Sequence, residues 1–397
     1  MRNILLQLVL ILLLTSCYVK PGRGLNNKTT DINNLDEEIE AFMSKWKIKG
    51  GTIALVKDDK LIYSNAYGST LDNAPMTKFS GLRIASLSKP ITAIAVMKLV
   101  EQGKLSLDSK VFGNEGILND STYLKIFDSR AYEITVRQLL QHTAGWDRDV
   151  SPEGDPMFNS ANIGKAMGKV GYAVKNTIIQ YMLTKTLDFD PGTRYAYSNL
   201  GYNILGRVIE KTSGMNYEDF VRKHIFLPLD MKHMQLAKND EPHASLLPWT
   251  FDIEAMDSHG GWKASSTDLA KILASMVPGS KYQILETESI AEMLKGSDVN
   301  PSYGLGWCVN AKGNCWHTGS LNECSTFMAR LKTGVCAVLV FNGRPDDPDY
   351  FAELDKLVWN GLKKVKVLPT KDRFIEDKIA FKLQPEGASP SITFARP

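Results

Sequence analysis

Between residues 36 and 47, apolar Ile39, Phe42, Met43 and Trp46 return at helical spacing, which predicts an amphipathic helix. The apolar runs then shorten to strand length at 52–56 and 61–66, separated by the polar turn Lys57-Asp58-Asp59-Lys60. Residues 90–100 are apolar almost throughout and stop at Gly103, the pattern of a buried helix. From 135 to about 274 the spacing is helical, interrupted by long polar loops such as 151–162. Strand character returns at 306–309, 315–318, 325–331 and 335–341, with Gly313 and Gly334 marking turns. Residues 349–362 predict a closing helix, and beyond Val365 the chain turns rich in Pro and Lys and reads as peripheral. Strands at both ends with helices between them predict an α/β domain built from non-contiguous segments, with an all-α domain inserted in the middle.

Composition agrees with that picture. The 397 residues are 43% hydrophobic and 23% charged, a folded chain rather than a disordered or fibrous one, with length for two domains. Lys and Arg total 47 against 44 Asp and Glu, a formal charge of +3, which excludes the strongly basic profile of a nucleic-acid binder. Six histidines and five cysteines lack His-x-x-x-His or Cys-x-x-Cys spacing, so neither a metal nor another cofactor is expected.

Three short segments could carry chemistry. Ser86-Leu87-Ser88-Lys89 precedes Pro90 and the apolar helix. Proline loses least in the first helical turn, so Ser86 should sit at the helix start. Ser86 and Lys89 then share a face, a hydroxyl beside an amine that can take or relay its proton. Tyr197-Ser198-Asn199 follows the turn Asp190-Pro191-Gly192 and offers a phenol for proton transfer and an amide for a substrate. His317-Thr318-Gly319-Ser320 ends a strand that could pair with an extended substrate, and its Ser320 N–H could join that of Ser86 as two oxyanion donors. Each pattern has a duplicate: Ser44-x-x-Lys47 in the first helix, Tyr63-Ser64-Asn65 on a strand, and Lys332-Thr333-Gly334 in a hairpin turn.

Ser-x-x-Lys, Tyr-x-Asn and a basic residue with Thr-Gly, in this order, resemble the penicillin-recognising serine hydrolases, in particular their class C β-lactamase, D-Ala-D-Ala carboxypeptidase and esterase branch. The flanks are similar too: residues 134–145 with Gln141-His142-Thr143-Ala144-Gly145, Phe189-Asp190-Pro191-Gly192, Gly260-Gly261, and Tyr303-Gly304-Leu305-Gly306-Trp307. The resemblance implies a β-lactamase/transpeptidase-like fold, an antiparallel sheet flanked by helices, over residues 36–363. Its α/β part is expected at about 36–85 and 275–363 and its helical part at about 86–274, with 364–397 as a C-terminal extension. It further implies an acyl-enzyme on Ser86, proton transfer by Lys89 and Tyr197, and substrate binding by Asn199, His317, Thr318, Gly319 and Ser320. The substrate would be an ester or an amide such as a D-amino-acid peptide or β-lactam. A D-Ala-D-Ala carboxypeptidase, or a non-catalytic peptidoglycan-binding or self-assembling relative, is the alternative. Many relatives have Lys where His317 stands, and a mostly neutral imidazole holds a substrate carboxylate less firmly than an ammonium.

The first residues read separately. Arg2 and the apolar run from Ile4 to Leu14 fit a signal peptide and are too short to span a bilayer, which takes about 20 residues. Leu14-Thr15-Ser16-Cys17 resembles the bacterial lipoprotein processing box, which implies removal of 1–16, lipid on Cys17, a tether over 17–35, and a membrane-anchored place in the cell envelope facing periplasm or exterior. The expected hairpin registers put no two of Cys308, Cys315, Cys324 and Cys336 opposite each other, so no disulfide is assigned among them.

Overall fold

The computed structural model describes residues 32–239, 251–365 and 367–375. The leader, Cys17, most of the expected tether and residues 376–397 lie outside the described residues. The strands are β1 (Gly50–Lys57), β2 (Lys60–Gly68), β3 (Leu82–Arg83), β4 (Gln235–Leu236), β5 (Trp262–Ala264), β6 (Cys308–Val309), β7 (Cys315–Leu321), β8 (Cys324–Arg330) and β9 (Cys336–Phe341). The helices are α1 (Ile32–Lys45), α2 (Ser88–Glu101), α3 (Val136–Leu140), α4 (Ser160–Ala166), α5 (Lys175–Leu183), α6 (Asn199–Ser213), α7 (Tyr217–Val221), α8 (Ser266–Ser275), α9 (Thr287–Met293) and α10 (Asp349–Lys364).

β1 and β9 read as unbroken apolar runs because both faces of the sheet are covered. Ile53, Leu55, Leu339 and Phe341 pack under α1 and α10 with Ile39, Phe42 and Leu354. Ala54, Val56, Val338 and Val340 face the other way, into the core that includes α2 and α8. The sheet runs β2-β1-β9-β8-β7-β6, antiparallel throughout. A second small sheet, β3-β5-β4, ties the chain ahead of Ser86 to the segment after 260.

Three boundaries differ from the sequence reading. Helix α1 starts at Ile32 rather than 36, because Ile32 and Leu35 extend its apolar face into the core and shorten the expected tether. Helix α8, assigned to the helical part, packs on β1, β8 and β9, so the sheet layer resumes near residue 266 rather than 275. The expected extension is not wholly peripheral: Phe374 is buried against Tyr282, and Asp372 accepts from the N–H of Leu61 on β2. Burying such a phenylalanine contributes roughly 1.5–3 kcal/mol.

The strand registers keep the cysteines apart. Cys308 faces Trp316, Cys315 faces Val309, Cys324 faces Leu321 and Cys336 faces Arg330, and all four are free thiols. Among the described residues no helix is long and apolar enough to cross a membrane, and no cluster of His, Cys, Asp or Glu could hold a metal ion.

Candidate active site

Ser86 occupies a single 3-10 turn, Ala85–Leu87, that runs directly into α2. Pro90 falls in the first turn of α2, where its missing N–H costs nothing. Ala85 adopts φ 47°, a left-handed conformation that costs a residue with a side chain about 1–2 kcal/mol. The turn is clamped on both sides: Thr326 Oγ1 donates to the Ile84 carbonyl at 3.0 Å and Ser88 Oγ to the Ala85 carbonyl at 2.7 Å. Strain of this kind persists where surrounding contacts over-determine it, typically at functional sites.

Lys89 is fully buried one helical turn on. Its Nζ donates to Asn199 Oδ1 at 2.7 Å and to the His259 carbonyl at 3.0 Å, and lies 3.1 Å from Ser86 Oγ. Two of these neighbours can only accept, whereas the third is a hydroxyl. A neutral amine fits this set: two N–H groups go to the fixed oxygens and the lone pair faces the Ser86 proton. Burial drives Lys89 well below the ordinary lysine range, Asp155 opposes that, and Arg148 adds to it.

Ser198 caps α6, its Oγ accepting from the Gly201 N–H at 3.1 Å, so Tyr197 and Asn199 flank a rigid helix start. Burial raises the Tyr197 phenol, while hydrogen bonding to Ser86 and the Arg148 charge pull it down. The Arg148 guanidinium lies 4.9 Å from the Tyr197 ring centre, and Lys89 Nζ lies 4.8 Å from it on the same scale. Asn199 Nδ2 donates to Asp155 Oδ2 at 2.6 Å, so its amide spans Lys89 and Asp155. The substrate-binding role expected for Asn199 is thereby narrowed, since its oxygen and one donor serve the lysine's surroundings.

The third segment lies on β7. Strand β6 pairs only with Cys315 and Trp316, leaving residues 317–321 as a free edge along the cleft. A Cβ on Gly319 would stand 2.4 Å from the Ile84 carbonyl oxygen, 2.3 Å from Thr326 Oγ1 and 3.1 Å from the Ser86 nitrogen. Only glycine lets the strand back onto the turn that carries Ser86 this closely. Thr318 is exposed, and both it and Ser320 line the cleft that Ser86 also lines.

His317 differs from expectation. It is buried, its Nδ1 donates to the Thr318 carbonyl at 2.7 Å, and its Nε2 stands 3.2 Å from the Tyr303 hydroxyl. Burial, with Lys89 nearby, pushes its pKa down to about 3. A neutral ring with both nitrogens engaged offers no cation to a substrate carboxylate, although His317 itself lines the cleft.

Ser86, Tyr197, Asn199, His317, Thr318 and Ser320 line one cleft of 460 Å³ together with Arg148, Tyr195, His259, Tyr303, Cys308 and Arg344, and Lys89 lies behind Ser86 and Asn199. Arg344 Nη1 lies 3.4 Å from Ser320 Oγ, and its Nη2 meets Asp346, which is wholly exposed. Among the described residues no carboxylate side chain lines the cleft, whereas Arg148 and Arg344 do. Arg148, Asp155, His259 and Arg344 were invisible in the sequence, since they come from three separate loops, Arg148 and Asp155 sharing the one between α3 and α4, and none sits in a recognisable spacing. His142 and Tyr303 fall inside the family-like segments but carry no role there. The duplicates separate cleanly: Ser44 is exposed on α1, Tyr63 bonds Asp36, and Lys332 sits in the β8–β9 turn.

Comparison with known proteins points the same way. The family profile described as Beta-lactamase matches residues 35–358. The protein Flp of Staphylococcus aureus (strain MW2) is 26% identical over 317 residues, covering 74% of this chain and 59% of its own length. Penicillin-binding protein 4* of Bacillus subtilis (strain 168) is 30% identical over 190 residues, 47% of this chain and 38% of that protein. The chain therefore spans only about three-fifths of the curated relatives it matches best in extent. Among solved structures, the octameric penicillin-binding protein homologue from Pyrococcus abyssi superposes with a TM-score of 0.64 at 25% identity, covering 89% of this chain and 81% of the other. The D-amino acid amidase from Ochrobactrum anthropi SV3 shares the fold at a TM-score of 0.64 and 22% identity, covering 84% of this chain and 98% of its own.

Proposed function

This chain belongs to the Beta-lactamase family of penicillin-recognising serine hydrolases, and from that premise we propose that it forms an acyl-enzyme on Ser86 and hydrolyses an ester or amide in the cell envelope. The observation that carries this reading is the environment of Lys89: a buried amine with two acceptor-only partners and its third contact on the Ser86 hydroxyl. Ser86 Oγ attacks the substrate carbonyl carbon and passes its proton to Lys89 Nζ. The Ser86 and Ser320 N–H groups receive the oxyanion. Tyr197, held as a phenol by burial, gives its proton to the leaving nitrogen or oxygen and regains one from Lys89. Water then attacks the acyl carbonyl, loses its proton to the same pair, and frees Ser86.

The cationic cleft favours substrates with an anionic group. Arg344, beside Ser320, stands in for the cation that His317 does not provide. A free ammonium on the substrate would find no carboxylate in the cleft lining, so a D-peptide or β-lactam with its carboxylate is preferred over an amino-acid amide.

The test is labelling with a fluorophosphonate and a fluorescent penicillin in cells expressing the full chain. The label should map to Ser86, disappear in Ser86→Ala, and travel with the envelope fraction. Labelling that survives Ser86→Ala refutes the nucleophile, and label found only in the cytosol refutes the location.

A further inference from the structure

His142 stands behind Tyr197, their ring centres 4.4 Å apart, in a left-handed conformation at φ 58°. Its Nδ1 accepts the Ser198 N–H at 3.1 Å, and its Nε2 lies 3.1 Å from the Tyr303 hydroxyl. A backbone N–H can only donate, so Nδ1 carries no proton and Nε2–H donates to Tyr303. At the other end, the Thr318 carbonyl can only accept, so His317 Nδ1 carries the proton and its Nε2 is a lone pair. The Tyr303 proton has that lone pair, 3.2 Å away, as its imidazole acceptor. Tyr202 also borders Tyr303, but its own proton goes to the Leu140 carbonyl at 2.9 Å.

We infer that Ser198 N–H, His142, Tyr303, His317 and the Thr318 carbonyl form one directed chain of hydrogen bonds, built from two neutral imidazoles of opposite tautomer. His142 and Tyr303 are thereby positioning residues. The chain begins at Ser198, between Tyr197 and Asn199, and ends at Thr318, two residues before the Ser320 oxyanion donor. It fixes the spacing between the loop that carries the proton-transfer tyrosine and the strand that receives the substrate. It does so without a second ammonium, so Lys89 can give up its proton near Ser86.

Every titratable group around the chain is accounted for. Lys89 lies on the α2 side, Arg148 on the cleft side, Tyr197 and Tyr202 belong to α6 and its entry, and Tyr195 and Cys308 border Tyr303. Lys89 and Arg148 both oppose a further positive charge on His142, as Lys89 does on His317, in agreement with neutral rings. A proton on either ring converts an acceptor into a donor and turns one bond of the chain against its neighbour.

The functional half of this inference rests on the acyl-enzyme reading, whereas the chain itself does not. Imidazole 15N spectra of the folded wild-type protein, assigned with His142→Gln and His317→Gln, read the tautomers directly. His142 should appear as the Nε2–H form and His317 as the Nδ1–H form, both unchanged from pH 8 to pH 5.5. A shared tautomer, or an imidazolium at either position in that range, overturns the chain whatever the activity. In Tyr303→Phe, the acid limb of kcat/KM for a neutral ester should move to higher pH and kcat should fall about tenfold with KM within twofold. An unchanged pH profile and kcat in a folded Tyr303→Phe protein overturns the positioning role. If the tautomers are as stated but Ser86 takes no label, the hydrolase reading fails and the chain stands.

Discussion

At the scale of single residues, burial decides what each charged group can do. Lys89 and His317 are both forced toward their neutral forms, one beside Ser86 and the other facing a tyrosine. Arg344 lines the cleft with its side chain partly exposed and, among the described residues, is ion-paired with the fully solvated Asp346. Such a solvated pair contributes roughly 0–1 kcal/mol and leaves the guanidinium available to a substrate. Arg344→Gln should therefore lower the ratio of kcat/KM between a carboxylate-bearing substrate and its neutral methyl ester. A fall of about tenfold corresponds to roughly 1.4 kcal/mol of transition-state binding. If both substrates change equally, Arg344 shapes the cleft and does not select the anion. The sequence picked out Ser86, Lys89 and Tyr197 as candidates through local spacing, because each sits within a few residues of a helix start, and the folded chain brings their side chains together. It could not disclose Arg344 or Asp155, because only the folded chain brings Arg344 to Ser320 and Asp155 to Asn199. It did not show the Tyr303 and Thr318 partners of His317, because a residue type reports nothing of which way the ring turns.

Among elements, the decisive contact is β7 against the turn that carries Ser86. Gly319→Ala would drive its new methyl into the Ile84 carbonyl, Thr326 and the Ser86 amide, two of which lie under 3.0 Å from it. Backbone at such a distance cannot swing aside as a side-chain tip does, so the strand must retreat. We expect a loss of about 1–3 kcal/mol in urea denaturation. Acylation should fall by about 100-fold or more, the usual consequence of displacing an oxyanion donor. Near-normal acylation in that variant would mean that β7 does not supply the donor. The helices and strands themselves were legible wherever an apolar period ran long enough. α1 was read four residues late, because it was read from the apolar spacing of Ile39, Phe42, Met43 and Trp46 alone, whereas Ile32 and Leu35 extend that face. The α8 boundary escaped notice for a different reason: an amphipathic helix looks the same whether it faces a sheet or other helices.

For the molecule as a whole, three buried histidines make stability a function of acidity. His142, His259 and His317 are each held below the ordinary value of 6.5, His317 down to about 3, in every case chiefly by burial. Once unfolded they take up protons as pH falls below about 6.5, while the folded protein does not, so protons accumulate on the unfolded side. Stability contributed by these neutral rings is complete above about pH 6.5 and declines as pH drops toward 3. Each histidine can remove up to about 1.4 kcal/mol per pH unit within that window. The urea midpoint should fall steadily from pH 7 to pH 4.5, and His317→Gln should flatten the slope; a level midpoint in the wild type would falsify the neutral-histidine account. The topology also carries a practical consequence. Helices α1 and α10 lie together on one face of the sheet, whereas α2 and Ser86 belong to the other. A resin bead or sensor chip coupled ahead of Ile32 would meet the protein through that rear layer, and the mouth containing Ser86 would stay open to flowing solution.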